Sequence, residues 1–219
     1  MPSARSGYAI VAVLLIAAAG AFLRAEQLKL TLSPVARPAP PQHFSPVCTG
    51  NPRCQTEADL RFTLRAGQRI ELAIVDSSGG VVRTLTPAGG TLHGKGVVTE
   101  TWDGNTDAGG RAPDGAYRLR VTLPASGKTI TIPNRIVLDT TPPTLTLVSA
   151  PGRVPVLYRS DGRVYLILVS PSGKMTRRRG HDGRVTVPQS QQVSGTTMTL
   201  IAQDKARNRS APVPAGTIS

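Results

Sequence analysis

Histidine, cysteine and tryptophan are nearly absent from this sequence. Its 219 residues include three histidines, two cysteines and one tryptophan. Each scarcity excludes something. A structural zinc site needs four nitrogen or sulfur ligands, and Cys48 and Cys54 have no nearby histidine or further cysteine to complete one. His43 lies in a proline-rich stretch, His93 in a glycine-rich loop and His181 beside a run of arginines, so none is set up as a base held by partners. No HExxH, CxxC or P-loop occurs, and no serine sits in a strand–turn–helix nucleophile setting. We therefore expect a non-enzymatic chain with no catalytic residue, no cofactor and no metal. Aromatic residues make up only 4%, too few for the stacking platforms that bind single-stranded nucleic acid, and no nucleic-acid partner is expected. Acidic residues are also short in supply: 13 against 26 Lys and Arg, for a net charge of +13. That balance favours an anionic partner without saying which.

The sequence does contain one long apolar run. Gly7 to Leu23 reads GYAIVAVLLIAAAGAFL without a charge. As a helix it would span ~25 Å against a hydrocarbon core of ~30 Å, with Arg24 and Lys29 able to snorkel. Arg5 precedes it and favours a cytoplasmic N-terminus. The expectation is a single-pass signal anchor at 7–23 in the cell membrane. It follows a short cytoplasmic segment at 1–6, and the bulk of the chain lies outside the cytoplasm. A cleaved signal peptide is the competing reading, with Ala19-Gly20-Ala21 as its small-residue site. The continuation RAEQLKLTL extends the helical pattern and favours the anchor. Residues 24–43 then read as a juxtamembrane segment and an extended stalk, stiffened by Pro34, Pro38, Pro40 and Pro41.

Beyond residue 44 the pattern is that of β-strands. Leu60, Phe62 and Leu64 alternate with polar neighbours, as do Ile70, Leu72 and Ile74. Further strand signals occur at 81–85, 97–102, 116–123, 128–132 and 136–138. Turn residues separate them, notably DSSGG at 76–80 and DGNTDAGG at 103–110. Several short strands so spaced predict an all-β sandwich, with Leu72, Ile74, Trp102 and Tyr117 in its core. Cys48 and Cys54 bracket CTGNPRC, and in a translocated chain they are expected to form a local disulfide.

Three segments of this region share the motifs of a known module: IVDSSGGVVRTL (74–85), TWDGNTDAGG (101–110) and PDGAY (113–117). With the Phe44-Ser45-Pro46 start, they resemble the immunoglobulin-like domain of the bacterial flagellar hook-capping protein. The resemblance covers roughly residues 44–140. It implies an Ig-like fold and says little about function, since such domains also occur in surface proteins unrelated to flagella. The chain departs from the family in carrying the Cys48–Cys54 loop and an apolar N-terminal run in place of a rod-binding region. Both argue against a hook-assembly role. Asp103, Asn105, Asp107 and Asp114 fall at calcium-ligand positions of an EF-hand window, but Ala108 occupies the obligatory glycine position and Asp114 replaces the bidentate glutamate. A hairpin turn explains the same residues without a metal.

DTTPP (139–143) marks the end of the first module and resembles the joints between tandem Ig-like repeats of bacterial surface proteins. Residues 144–219 show strand signals at 145–148, 163–169, 184–187 and 197–202. They predict a second, small β-sandwich at 141–219, Ig-like or fibronectin-like, with Tyr165 in its core and Tyr158 as a second candidate. This last part carries 11 basic and three acidic residues. Lys174, Arg177, Arg178, Arg179 and Arg184 concentrate the excess. They are expected on one protruding hairpin, as the candidate contact with an anion or a partner. Arg207 and Arg209 extend that surface if the C-terminal strand lies alongside. The function expected is that of an envelope spacer or protein-interaction module. Direct binding of anionic wall polymer or lipid through the second domain is the alternative.

Overall fold

The computed structural model describes residues 13–22 and 33–219. Residues 13–22 are helical with exposed side chains. No helix among the described residues is long and apolar enough to cross a membrane; the expected span at 7–23 extends beyond the described stretch at both ends.

The remainder is two β-sandwiches in series. The first contains β1 (Val35–Ala36), β2 (Gln42–Phe44), β3 (Ala58–Leu64), β4 (Gln68–Val75), β5 (Val81–Thr84), β6 (Thr91–His93), β7 (Gly96–Trp102), β8 (Gly115–Leu123), β9 (Lys128–Thr131) and β10 (Ile136–Leu138). One sheet has the order β1-β3-β7. The other runs β2-β10-β8-β4-β5, with β6 and β9 added beside β4 and β8. Alternation decides which face is covered. Ala58, Leu60, Phe62 and Leu64 of β3 are buried, and so are Ile70, Leu72 and Ile74 of β4 and Tyr117, Leu119, Val121 and Leu123 of β8. These rows face one another across the two sheets and form one core.

Trp102 anchors one end of this core. Its ring centroid lies 5.4 Å from that of Phe44 and 4.9 Å from that of Tyr117, the latter pair edge-on. A buried indole or phenol needs a partner for its polar atom. Trp102 Nε1 donates to the Asn105 carbonyl at 2.8 Å, and the Tyr117 hydroxyl donates to the Pro113 carbonyl at 2.5 Å. The second bond is the tyrosine corner of Ig-like sandwiches. Burial, followed by the nearby charges of Asp76 and Asp114, raises the Tyr117 pKa.

The proline-rich segment is not a free stalk. Val35 and Ala36 pair with Leu64 and Thr63, and Gln42–Phe44 pair in parallel with Ile136–Leu138. Val35 and Phe44 are buried in the core. Proline cannot donate to a ladder and tolerates only short edge strands. The two strands are accordingly two and three residues long, and the prolines lie outside them. The first module thus begins at the segment expected to lift it.

Asp76 and Asp107 hold the two long turns. Asp76 Oδ1 accepts from the Ser78 and Gly80 amides and the Ser78 hydroxyl. Asp107 accepts from the Thr84 amide at 2.9 Å and the Thr84 hydroxyl at 2.8 Å, with Arg83 at 3.9 Å. Bonds from Thr84 lead in lowering the Asp107 pKa, and the Arg83 charge adds to them. The folded pKa lies below the unfolded one. The contribution to stability is therefore full above about pH 3.9 and is lost as pH falls through the folded value. Asp107→Asn should narrow the gap between the urea midpoints at pH 7 and pH 3. An unchanged gap would show that Asp107 has no part in acid sensitivity.

The second module contains β11 (Leu145–Leu147), β12 (Val156–Ser160), β13 (Arg163–Val169), β14 (Met175–Arg179), β15 (Arg184–Val185), β16 (Thr197–Gln203) and β17 (Val213–Thr217). Its sheets are β11-β12-β15 and β14-β13-β16-β17. Val164, Leu166 and Leu168 of β13 point inward with Met198, Leu200 and Ala202 of β16. That register sends Tyr165 to the outer face, so it is not a core residue; Tyr158 of β12 is. The two cores share no residue.

Candidate functional site

Three arrangements converge where the modules meet. The first is the linker. Asp114, just before β8, accepts from the Thr140 amide and hydroxyl, both at 2.9 Å, and from the Thr141 hydroxyl at 2.9 Å. Asp139 Oδ1 accepts from the Thr141 amide at 3.2 Å. DTTPP is thus clamped at its near end by the first module.

The second is Asn208, in the turn between β16 and β17. It is 4% exposed. Its Nδ2 donates to the Asp139 carbonyl at 2.7 Å and to Asp204 Oδ2 at 2.8 Å, while its own amide donates to Asp204 Oδ1 at 2.9 Å. Burial is the main influence raising the Asp204 pKa, and the Asn208 bonds oppose it. A buried side-chain amide with satisfied donors fixes its neighbours in place.

The third is the disulfide loop. Cys48 and Cys54 are bonded. The loop they close packs against the same turn: Arg209 Nη1 donates to the Gly50 carbonyl at 2.7 Å, and Cys48 Sγ lies 3.4 Å from the Arg207 carbonyl oxygen.

Between this loop and the outer face of β14-β13-β16 lies a cleft of about 420 Å³, lined by Asn51, Arg53, Tyr165, Arg177, Arg179 and Arg207, with Arg209 and Gln203 at its side. Tyr165 is opposite Arg179 in the ladder, and Ile167 is opposite Arg177. Arg177 leans along the strand until its guanidinium carbon is 3.5 Å from the Tyr165 ring centroid. Arg207 has a positive φ of 75°, a costly backbone state for a non-glycine residue. The only ion pair among the described residues is Arg83–Asp107. No described carboxylate therefore lies within ion-pair distance of the five arginines.

The five basic residues expected on one protruding edge do not stay together. Residues 175–179 form a strand, and alternation separates them. Arg177 and Arg179 face the cleft. Arg178 faces the other way, where its Nε donates to Gln191 Oε1 at 2.9 Å. Lys174 sits in the β13–β14 turn, where its amide donates to Ser170 Oγ. Arg184 is in β15 of the other sheet. Their places in the cleft are taken by Arg53, Arg207 and Arg209. Arg207 and Arg209 were legible as basic residues near the last strand; Arg53 was visible only as part of CTGNPRC.

The Asp103–Asp114 window is divided among separate tasks. Asp103 accepts from the Asn105 amide and side chain, Asp107 holds Thr84, and Asp114 holds Thr140 and Thr141. Among the described residues no three His, Cys, Asp or Glu side chains are grouped to hold a metal ion.

No curated protein matches the chain. Among solved structures, it is similar to the fibronectin(III)-like modules of CbhA from Clostridium thermocellum, at 16% identity and a TM-score of 0.42, covering 84% of this chain and 91% of that one. It is also similar to the BSP domain of a biofilm-associated protein, at 12% identity and a TM-score of 0.30, covering 84% of this chain and 30% of the other. The model of the FlgD Ig-like domain family matches residues 54–127. The matched residues lie within the first module, whose turn motifs resemble that family.

Proposed function

We propose that the chain is a non-enzymatic envelope protein, anchored in the cell membrane through residues 7–23 with its N-terminus in the cytoplasm. Its two modules act outside as a stiff structural spacer or protein-interaction unit. The observation that carries this reading is the joint. Asn208 of the second module holds the Asp139 carbonyl at the end of the first, and Arg209 holds the disulfide loop. A spacer needs a fixed angle between its parts, and here side chains of the second module hold backbone carbonyls of the first. The disulfide suits an oxidising compartment.

Asn208→Ala is the test. It leaves the Asp139 carbonyl and Asp204 Oδ2 without their side-chain donor, while the backbone amide of residue 208 still reaches Asp204 Oδ1, a loss of about 1–3 kcal/mol. Distances between spin labels on β5 and β15 of the full chain should broaden in the variant. An equally narrow distribution would remove Asn208 as the holder of the joint. Retention of the full chain in membranes after a carbonate wash tests the anchor, and its release would overturn that part. A second reading, direct binding of anionic wall polymer or lipid through the basic second domain, is favoured by the arginines gathered on one face of that domain. It requires that binding to isolated envelope material fall steeply with added salt.

A further inference from the structure

We propose that the cleft between the modules, walled by Arg53, Arg177, Arg179, Arg207 and Arg209, is a binding site for a phosphorylated anion carrying two or more negative charges. This rests on the second reading above and narrows it to one site and one ligand chemistry. The site belongs to neither module alone: Arg53 comes from the disulfide loop of the first and the other four arginines from the second.

Four observations support it. First, the lining holds five guanidinium groups and no carboxylate. Charges of one sign at such spacing repel one another, and a bound anion relieves that repulsion. Second, two of the groups are held before any ligand arrives. Arg177 rests on the Tyr165 ring. Arg209 spends one of its five donors on the Gly50 carbonyl, which leaves the rest available. Prior ordering lowers the entropy cost of binding. Third, Arg177 and Arg179 are two apart on one strand and so project from the same face. Guanidinium forks side by side match the oxygens of a phosphate, which accept in pairs. Fourth, about 420 Å³ lies within the range of small-molecule sites, ~300–1,000 Å³. That is room for more than one phosphate group. The one aromatic face in the cleft is already covered by Arg177, so no surface remains on which a base could stack. A phosphate ester or oligophosphate fits better than a nucleic acid.

The test uses the full chain in a non-ionic detergent at low salt, titrated with sodium tripolyphosphate and followed by calorimetry. The double variant Arg177→Gln/Arg179→Gln removes two cleft charges. Lys174→Gln/Arg184→Gln removes the same charge from outside the cleft. The first should bind about tenfold more weakly or worse, the loss expected for charge-assisted hydrogen bonds. The second should stay within about threefold of the parent, since charges outside the cleft make no hydrogen bond to the anion and act on it only through water of high dielectric constant. Arg53→Gln, on a loop held by its own disulfide, should also weaken binding and tests the contribution of the first module independently of β14. Circular dichroism verifies that each variant is folded. Equal weakening by the two double variants would overturn the cleft while leaving charge-driven envelope binding intact. Failure of the parent to bind tripolyphosphate would overturn the cleft whatever the envelope assay gives. Where tripolyphosphate binds, displacement by mixed micelles containing phosphatidylglycerol identifies a lipid headgroup as a source. Resistance to them identifies a soluble or polymer-borne phosphate. Both results uphold the site.

Discussion

Trp102→Ala is expected to cost the first module about 3–5 kcal/mol, the range for deleting a buried large aromatic. Trp102 is 1% exposed and touches both Phe44 and Tyr117, so truncation leaves a cavity bordered by two rings. It also removes the donor to the Asn105 carbonyl at the head of the long turn. A loss of that size is a large part of the 5–15 kcal/mol that holds a typical domain together. The effect should stay local, because no residue of the second core belongs to the first. Scanning calorimetry of the full chain should show the first module's transition moved down by many degrees and the second's little changed. In the parent protein the same residue provides a check. It is the only tryptophan, so its fluorescence reports unfolding of the first module alone. A loss below about 1 kcal/mol, within the ordinary range of single substitutions, would show that Trp102 is not the anchor described.

Gly216→Ala is expected to be the most damaging single-methyl change in the second module, at about 2–4 kcal/mol from backbone strain and overpacking together. Gly216 has a φ of +90°. An added Cβ would press on the backbone nitrogen of Gly152 and come within 2.8 Å of the Pro151 carbonyl carbon. Neither neighbour can rotate away as a side chain would. The Gly152 amide also donates to the Ala215 carbonyl at 2.8 Å, so β17 would be pushed from the turn it is bonded to. Ala215 and Ile218, which bury against the second core, would move with it. Gly173→Ala, in the same module, separates strain from crowding: its φ is +80°, but nothing lies within 4 Å of the added methyl. It should cost about 1 kcal/mol. Equal midpoint shifts from the two variants in urea would mean that the contact with Gly152 contributes nothing.

Most of the first module could be read from period-two alternation because its strands are half-buried: Leu60, Phe62 and Leu64 declare a face. β1 and β2 could not, since two- and three-residue strands between prolines leave no period to see. β14 was hidden for another reason. Arg177, Arg178 and Arg179 are alike, so alternation between faces produces no change of residue type. Tyr165 was misplaced because one large ring among Val, Leu and Ile invites burial, whereas the phase of Val164, Leu166 and Leu168 sends it outward. DTTPP announced a boundary. Asn208 did not announce itself as its lock, and the cleft depends on contacts such as Arg209 to Gly50, 159 residues apart. No local pattern encodes a meeting over that separation. It becomes visible only when the register of β14, β13 and β16 is known.

The distance in sequence between Asn208 and the carbonyl it holds bears on the order of events during synthesis. The first core closes with Leu138, and Asp114 can grip Thr140 and Thr141 as soon as they emerge. The Asp139 carbonyl must wait nearly seventy residues for its donor. A ribosome that has finished the first module has therefore made only half of the hinge, and the angle between the two bodies is not set until residue 208 has been made. A chain that stops short of residue 208 would keep its first domain and lose its geometry.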